Sequence, residues 1–164
     1  MNQVAAKPYR DRVELVIWKE GNILVTVNES KEGIWYGLPG GGRDHGEPFK
    51  HAAVREALEE VGIEVAAITP THFSSRKEGY RSEVPGRESE YAGSYTRLYD
   101  GIYSVMNSSL LNKDGDQVKY EWMKPMKALQ LFSEHYLKCG GSGRHAIDYL
   151  CHRLRITLPG MVGK

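Results

Sequence analysis

The stretch LPGGGRDHGEPFKHAAVREALEEVGI, Leu38–Ile63, decides how this chain is read. Three successive glycines run into a segment of helical period from Pro48 to Val61, and Gly62 suits its C-terminal cap. With Glu56 at zero, the helical advance puts Glu59 at about −60° and Glu60 at about +40°, so the three carboxylates share one face. Val54, Ala57, Leu58 and Val61 fall at about 100–200° and read as the core face, with Ala52 and Ala53 at the edges of the glutamate face. Crowded carboxylates repel one another and their pKa values rise unless a cation is present. A hard divalent ion relieves this, and Mg²⁺ uses a few carboxylates together with water and phosphate oxygens. Glycine backbone can come close to such an ion and offer carbonyl oxygens. Arg55, one turn before Glu59, is placed to hold that carboxylate through paired N–H donors.

Outward from this stretch, RVELVIWKEGNILVTVNE reads as two antiparallel strands around a turn, and GIWYG as a short aromatic strand that precedes the glycine loop. EVAAITPTHF resumes strand character. Residues 74–93 are polar, charged and glycine-dotted and read as a long substrate-side loop. SYTRLYDGIYSVM and QVKYEWM read as strands around an NKDGD turn. Pro125 suits the first turn of a helix over Met126–Leu137, and RHAIDYLCHRLRI reads as a final helix. Hairpins mixed with crossovers imply an α+β fold, a mixed sheet with helices on its faces.

The 164 residues read as one domain, with residues 1–10 flexible. With 22 basic and 21 acidic side chains the net charge is +1, which gives no ground for nonspecific nucleic-acid or membrane binding. Two cysteines, Cys139 and Cys151, make no disulfide framework, and no apolar run resembles a signal or a membrane span. The expectation is a cytoplasmic protein with free thiols. His135, Cys139, His145, Cys151 and His152 cluster late in the chain, but their spacing fits no zinc pattern and they read as ordinary surface and core residues.

An isolated REALEE segment is ordinarily a solvated helix face. Here it belongs to a longer pattern: Gly41, five residues, Glu47, seven residues, Arg55, Glu56, an apolar position, Glu59, Glu60, Gly62 and the aliphatic Ile63. Seven fixed identities at average usage would coincide about once in a million sequences, so chance is no serious rival. The pattern resembles the signature of the Nudix hydrolase family; Ala57 stands where a larger aliphatic residue is more usual. The resemblance implies an α/β/α sandwich and Mg²⁺- or Mn²⁺-dependent hydrolysis of a nucleoside diphosphate linked to another moiety. It implies Glu56 and Glu60 as principal metal ligands, Glu59 as a further ligand or base, and the Gly40 carbonyl in the coordination. Arg55 would orient a glutamate, Glu47 would brace loop and helix, and Gly41 and Gly62 would be structural.

The same resemblance leaves the base open among Glu59, Asp114, Asp116 and Glu121, since Gln117 stands where a glutamate is often found. Arg76, Tyr80 and Arg81 in the long loop are expected to bind substrate, with Lys77 and Arg87 in the same basic loop, and Trp35 and Tyr36 to border a base pocket. Dinucleoside polyphosphates, ADP-ribose, nucleotide sugars and nucleoside triphosphates all remain candidates. An RNA 5′ end is the alternative substrate, a non-catalytic nucleotide sensor the alternative class, and family analogy points to a homodimer.

Overall fold

The computed structural model describes residues 6–31, 33–79, 90–107, 109, 118–139 and 143–158. Tyr80, Arg81, Arg87, Asp114, Asp116 and the NKDGD turn lie outside them. The chain runs β1 (Tyr9–Lys19), β2 (Asn22–Ser30), β3 (Gly33–Gly37), β4 (Gly40–Gly42), α1 (Phe49–Val61), β5 (Ile63–Glu78), β6 (Gly93–Met106), β7 (Lys119–Met123), α2 (Pro125–Cys139) and α3 (Arg144–Leu154).

The sheet has the order β3-β2-β1-β6-β5, with β4 also on β1 and β7 on β2. Strand β1 runs parallel to β6, and every other pairing is antiparallel. One edge of β1 is shared: Trp18 and Lys19 pair with β2, while Arg12–Glu14 pair with Gly42–Gly40 of β4. The sheet therefore opens between β4 and β2, beside the glycines.

Alternation along β1 divides the core. Val13, Leu15 and Ile17 pack with Ala52, Ala53, Ala57 and Val61 of α1, whereas Val16 packs with Leu129, Phe132, Ile147 and Leu150 of α2 and α3. Helices thus cover both faces of a mixed sheet, the α+β sandwich expected.

Three expectations need correction. Residues 1–10 are not wholly loose, because Tyr9 and Arg10 already pair with Gly93 and Ser94. The loop over 74–93 is shorter, because β5 continues through Glu78 by means of register shifts around Ala66–Thr69 and Pro70–Ser74. The phase of α1 is also turned: its buried residues are Ala52, Ala53, Glu56, Ala57 and Val61, while Val54 and Leu58 are only half-buried. The two alanines are core residues, and their small size lets the helix lie close enough to the sheet to carry Glu56 inward.

Candidate functional site

Helix α1 begins without a side-chain cap; Pro48 is extended, and its carbonyl accepts from His51 and Ala52. It ends at Gly62, whose φ of 64° favours glycine and whose amide donates to the carbonyls of Ala57 and Leu58. Between these stops the glutamates meet the glycine strand. A methyl group on Gly41 would lie 2.4–2.5 Å from the Glu56 carboxylate, and one on Gly40 would lie 2.1 Å from the Val13 carbonyl oxygen. The Gly40 amide donates to Glu60 Oε2 at 2.9 Å. The glycines at 40 and 41 are thus required by close approach rather than by unusual dihedrals.

These distances predict two different phenotypes. Gly40→Ala is expected to cost about 2 kcal/mol or more, because its obstacle is backbone. Gly41→Ala meets a side-chain tip, so its expected effect is displacement of Glu56 and loss of activity at nearly unchanged melting temperature. Equal melting temperatures for both variants, or full activity in Gly41→Ala, would contradict this.

Arg55 organises the carboxylates. Its Nε donates to Glu47 Oε1 at 3.0 Å and its Nη2 to Glu47 Oε2 at 2.9 Å, so the paired donors expected for Glu59 go to Glu47 instead. Nη1 donates to Glu56 Oε1 at 2.9 Å and Glu59 Oε2 at 3.1 Å, and Nη2 also to the Gly42 carbonyl at 2.9 Å. Glu47 further accepts from the Asp44 amide at 3.0 Å, which ties the loop to the helix. The Arg55 bond holds the Glu47 carboxyl below its ordinary range. Burial pushes Glu56 up against the pull of Arg55. Burial also pushes Glu60 up to about 7; the Gly40 N–H and Arg12 oppose it, and the Glu56 and Glu14 charges add to it.

Among the described residues no three acidic, histidine or cysteine side chains converge tightly enough to enclose a metal ion. Yet Glu56 Oε2, Glu59 Oε1 and Glu60 Oε1 each lack a hydrogen-bond partner among those residues. A buried and a half-buried carboxyl with raised pKa values, together with three unused hard oxygens, fit a divalent cation.

Glu60 and Gly40 open into a cavity of about 680 Å³, bordered also by Arg12, Glu14, Asn28, Trp35, Lys77, Thr96 and His135. Trp35 stacks on His135 with ring centroids 6.0 Å apart. Tyr36 lines the cavity too, half-buried against the α2/α3 core. Arg76 is turned elsewhere, to Glu78 at 3.0 Å and over the Tyr9 ring, and its neighbour Lys77 borders the cavity in its place. Glu121 is exposed on β7 opposite Val25 and does not line the cavity.

Glu14 carries no functional mark in the sequence, and His145 reads there as an ordinary residue. His145 is buried; a carboxylate only accepts, so its Nε2–H donates to Glu14 Oε2 at 2.8 Å, while Nδ1 lies 2.7 Å from Ser75 Oγ. The ring pins α3 to β1 and β5 and fixes Glu14 beside Glu60. Residues 131 positions apart leave no local signal. His145→Ala is expected to lower unfolding free energy by about 3 kcal/mol, since it opens a cavity in a buried position and unpairs the half-buried Glu14 and Ser75. A denaturation midpoint equal to wild type would contradict this.

Comparison with known proteins gives the family. The family profile described as the NUDIX domain matches residues 8–138. An RNA pyrophosphohydrolase of Dinoroseobacter shibae is 28% identical over 138 residues, covering 78% of this chain and 84% of that protein. One from Wolbachia pipientis subsp. Culex pipiens is 40% identical over 63 residues, which span only 38% of either chain. The crystal structure of an ADP compounds hydrolase superposes with a TM-score of 0.63 at 18% identity, covering 90% of this chain and 74% of that one, a likeness of fold. The profile match takes in the glycine strand, α1 and all but the last helix, and on that extent the chain belongs to the Nudix family.

Proposed function

We propose that this protein is a pyrophosphohydrolase, dependent on Mg²⁺ or Mn²⁺, that cleaves a nucleoside diphosphate linked to another moiety. The observation that carries this is buried Glu56 against Gly41 and half-buried Glu60 on the Gly40 amide, with Gly40 and Glu60 lining a cavity of about 680 Å³. Glu56 and Glu60 would hold the metal, with Glu59 a further ligand or the base and the Gly40 carbonyl an added oxygen. Bound there, a divalent ion supplies neutralisation of phosphate charge and a more acidic water. Arg55 is a positioning residue: its fork holds one oxygen each of Glu56 and Glu59 and leaves their other oxygens without a hydrogen bond among the described residues. Trp35, which borders the cavity beside His135, suits the face of a nucleobase.

An RNA 5′ end is the second reading, favoured because the curated relatives carry the name RNA pyrophosphohydrolase. Turnover of ADP-ribose, diadenosine polyphosphates, nucleotide sugars, nucleoside triphosphates and 5′-triphosphorylated RNA, each with Mg²⁺ and with Mn²⁺, tests both. Metal-dependent release from one class, lost in Glu60→Gln, is the expected result. Nucleotide binding without turnover of any would replace the enzyme by a sensor. No helix among the described residues is long and apolar enough to cross a membrane.

A further inference from the structure

Three neighbouring strands bring their spare polar groups to the cavity. Arg12 of β1 lies opposite Thr96 of β6, and Ser94 of β6 lies opposite Lys77 of β5, so the four form two adjacent rows of the sheet. All four border the cavity that contains Gly40 and Glu60. Ser94 and Thr96 are 9% and 5% exposed, yet neither hydroxyl has a hydrogen-bond partner among the described residues. Nor do the half-buried Arg12 guanidinium and the Lys77 ammonium have an ion-pair or hydrogen-bond partner there. Neither hydroxyl oxygen is sealed from solvent, so both are open to the cavity and, with the half-buried Arg12 guanidinium, offer unused donors on one floor. Arg76, by contrast, is already engaged by Tyr9 and Glu78.

We infer that Arg12, Thr96, Ser94 and Lys77 bind a phosphate group of the substrate, the one next to the phosphate held at the carboxylates. A guanidinium meets phosphate oxygens with two parallel N–H bonds, and hydroxyls donate to the oxygens that remain. The inference rests on the pyrophosphohydrolase reading, because it supposes that two linked phosphates lie in this cavity. The rival role for Arg12 is charge balance alone, since its charge acts on both Glu56 and Glu60.

Calorimetric titration with methylenediphosphonate in excess Mg²⁺ separates the two, because this P–C–P compound has no base and cannot be hydrolysed. Arg12→Gln is expected to weaken its Kd about tenfold to a hundredfold. Arg12→Lys should fall between, and Thr96→Val, which removes only a hydroxyl, should weaken it about threefold to tenfold. Lys127→Gln, an exposed position of α2 away from the cavity, should leave Kd unchanged. Equal Kd values for wild type, Arg12→Gln and Thr96→Val would overturn the inference, as would absence of binding to the wild type. Binding that depends on Arg12 without turnover of any anhydride would sink the hydrolase reading but keep the phosphate site. Turnover with unchanged KM in Arg12→Gln would do the reverse.

Discussion

Glu60→Gln is expected to lower hydrolysis in excess metal by about a thousandfold or more, yet to stabilise the metal-free protein at pH 8. The first effect follows from losing an anionic oxygen where the proposed metal would sit, worth several kcal/mol of transition-state stabilisation. The second follows from burial, which lifts the Glu60 carboxyl from an ordinary 4.5 to about 7 in the folded protein. Between those values the folded state keeps a proton that the unfolded chain has released. Stability contributed by this group is therefore full below 4.5 and falls as pH rises through about 7, by about 3 kcal/mol in all. Glutamine carries no such slope. Denaturant titrations in chelator at pH 4.5 and pH 8, for both proteins, measure the difference directly. An identical pH slope in the two would mean that Glu60 is solvated, and the structural basis of its metal role would go with it.

Arg55→Lys is expected to cost about 2–4 kcal/mol of stability and about a hundredfold in kcat, although the charge is kept. Five N–H contacts leave the guanidinium for Glu47, Glu56, Glu59 and the Gly42 carbonyl, and the ammonium of lysine cannot span them. The fork binds the loop end of the motif to the helix end. A double-mutant cycle with Glu47→Gln should accordingly show a coupling of about 1–2 kcal/mol. Additive effects within about 0.5 kcal/mol would mean that the two residues act separately, and Arg55 would not be the organiser of the site.

Much of this site is legible in the sequence because its pieces are local. Gly41 through Ile63 covers one strand, one loop and one helix, so fixed spacing already puts Glu47, Arg55, Glu56 and Glu60 within reach of one another. The helix stop at Gly62 was legible for the same reason, as a left-handed glycine following the last apolar turn. The inward phase of α1 was not. Hydrophobicity alone turns Val54 and Leu58 to the core, whereas the close approach of α1 to a side-chain-free strand selects Ala52, Ala53, Ala57 and the buried Glu56. Nor was the glycine run legible as a strand, since β4 exists only through its pairing with Arg12–Glu14.

Residues within a few turns of each other set the carboxylate helix, its glycine partner and the alternation that layers the sheet between helices. Tertiary structure alone decided what surrounds them. Glu14 meets His145, Arg12 meets Thr96, and Trp35 meets His135 across separations that no periodicity encodes. The physical reason is the division of labour along β1. One face of the strand reads as apolar core from its own sequence, while the polar residues of the other face acquire a meaning only from the strands and helices that fold against it.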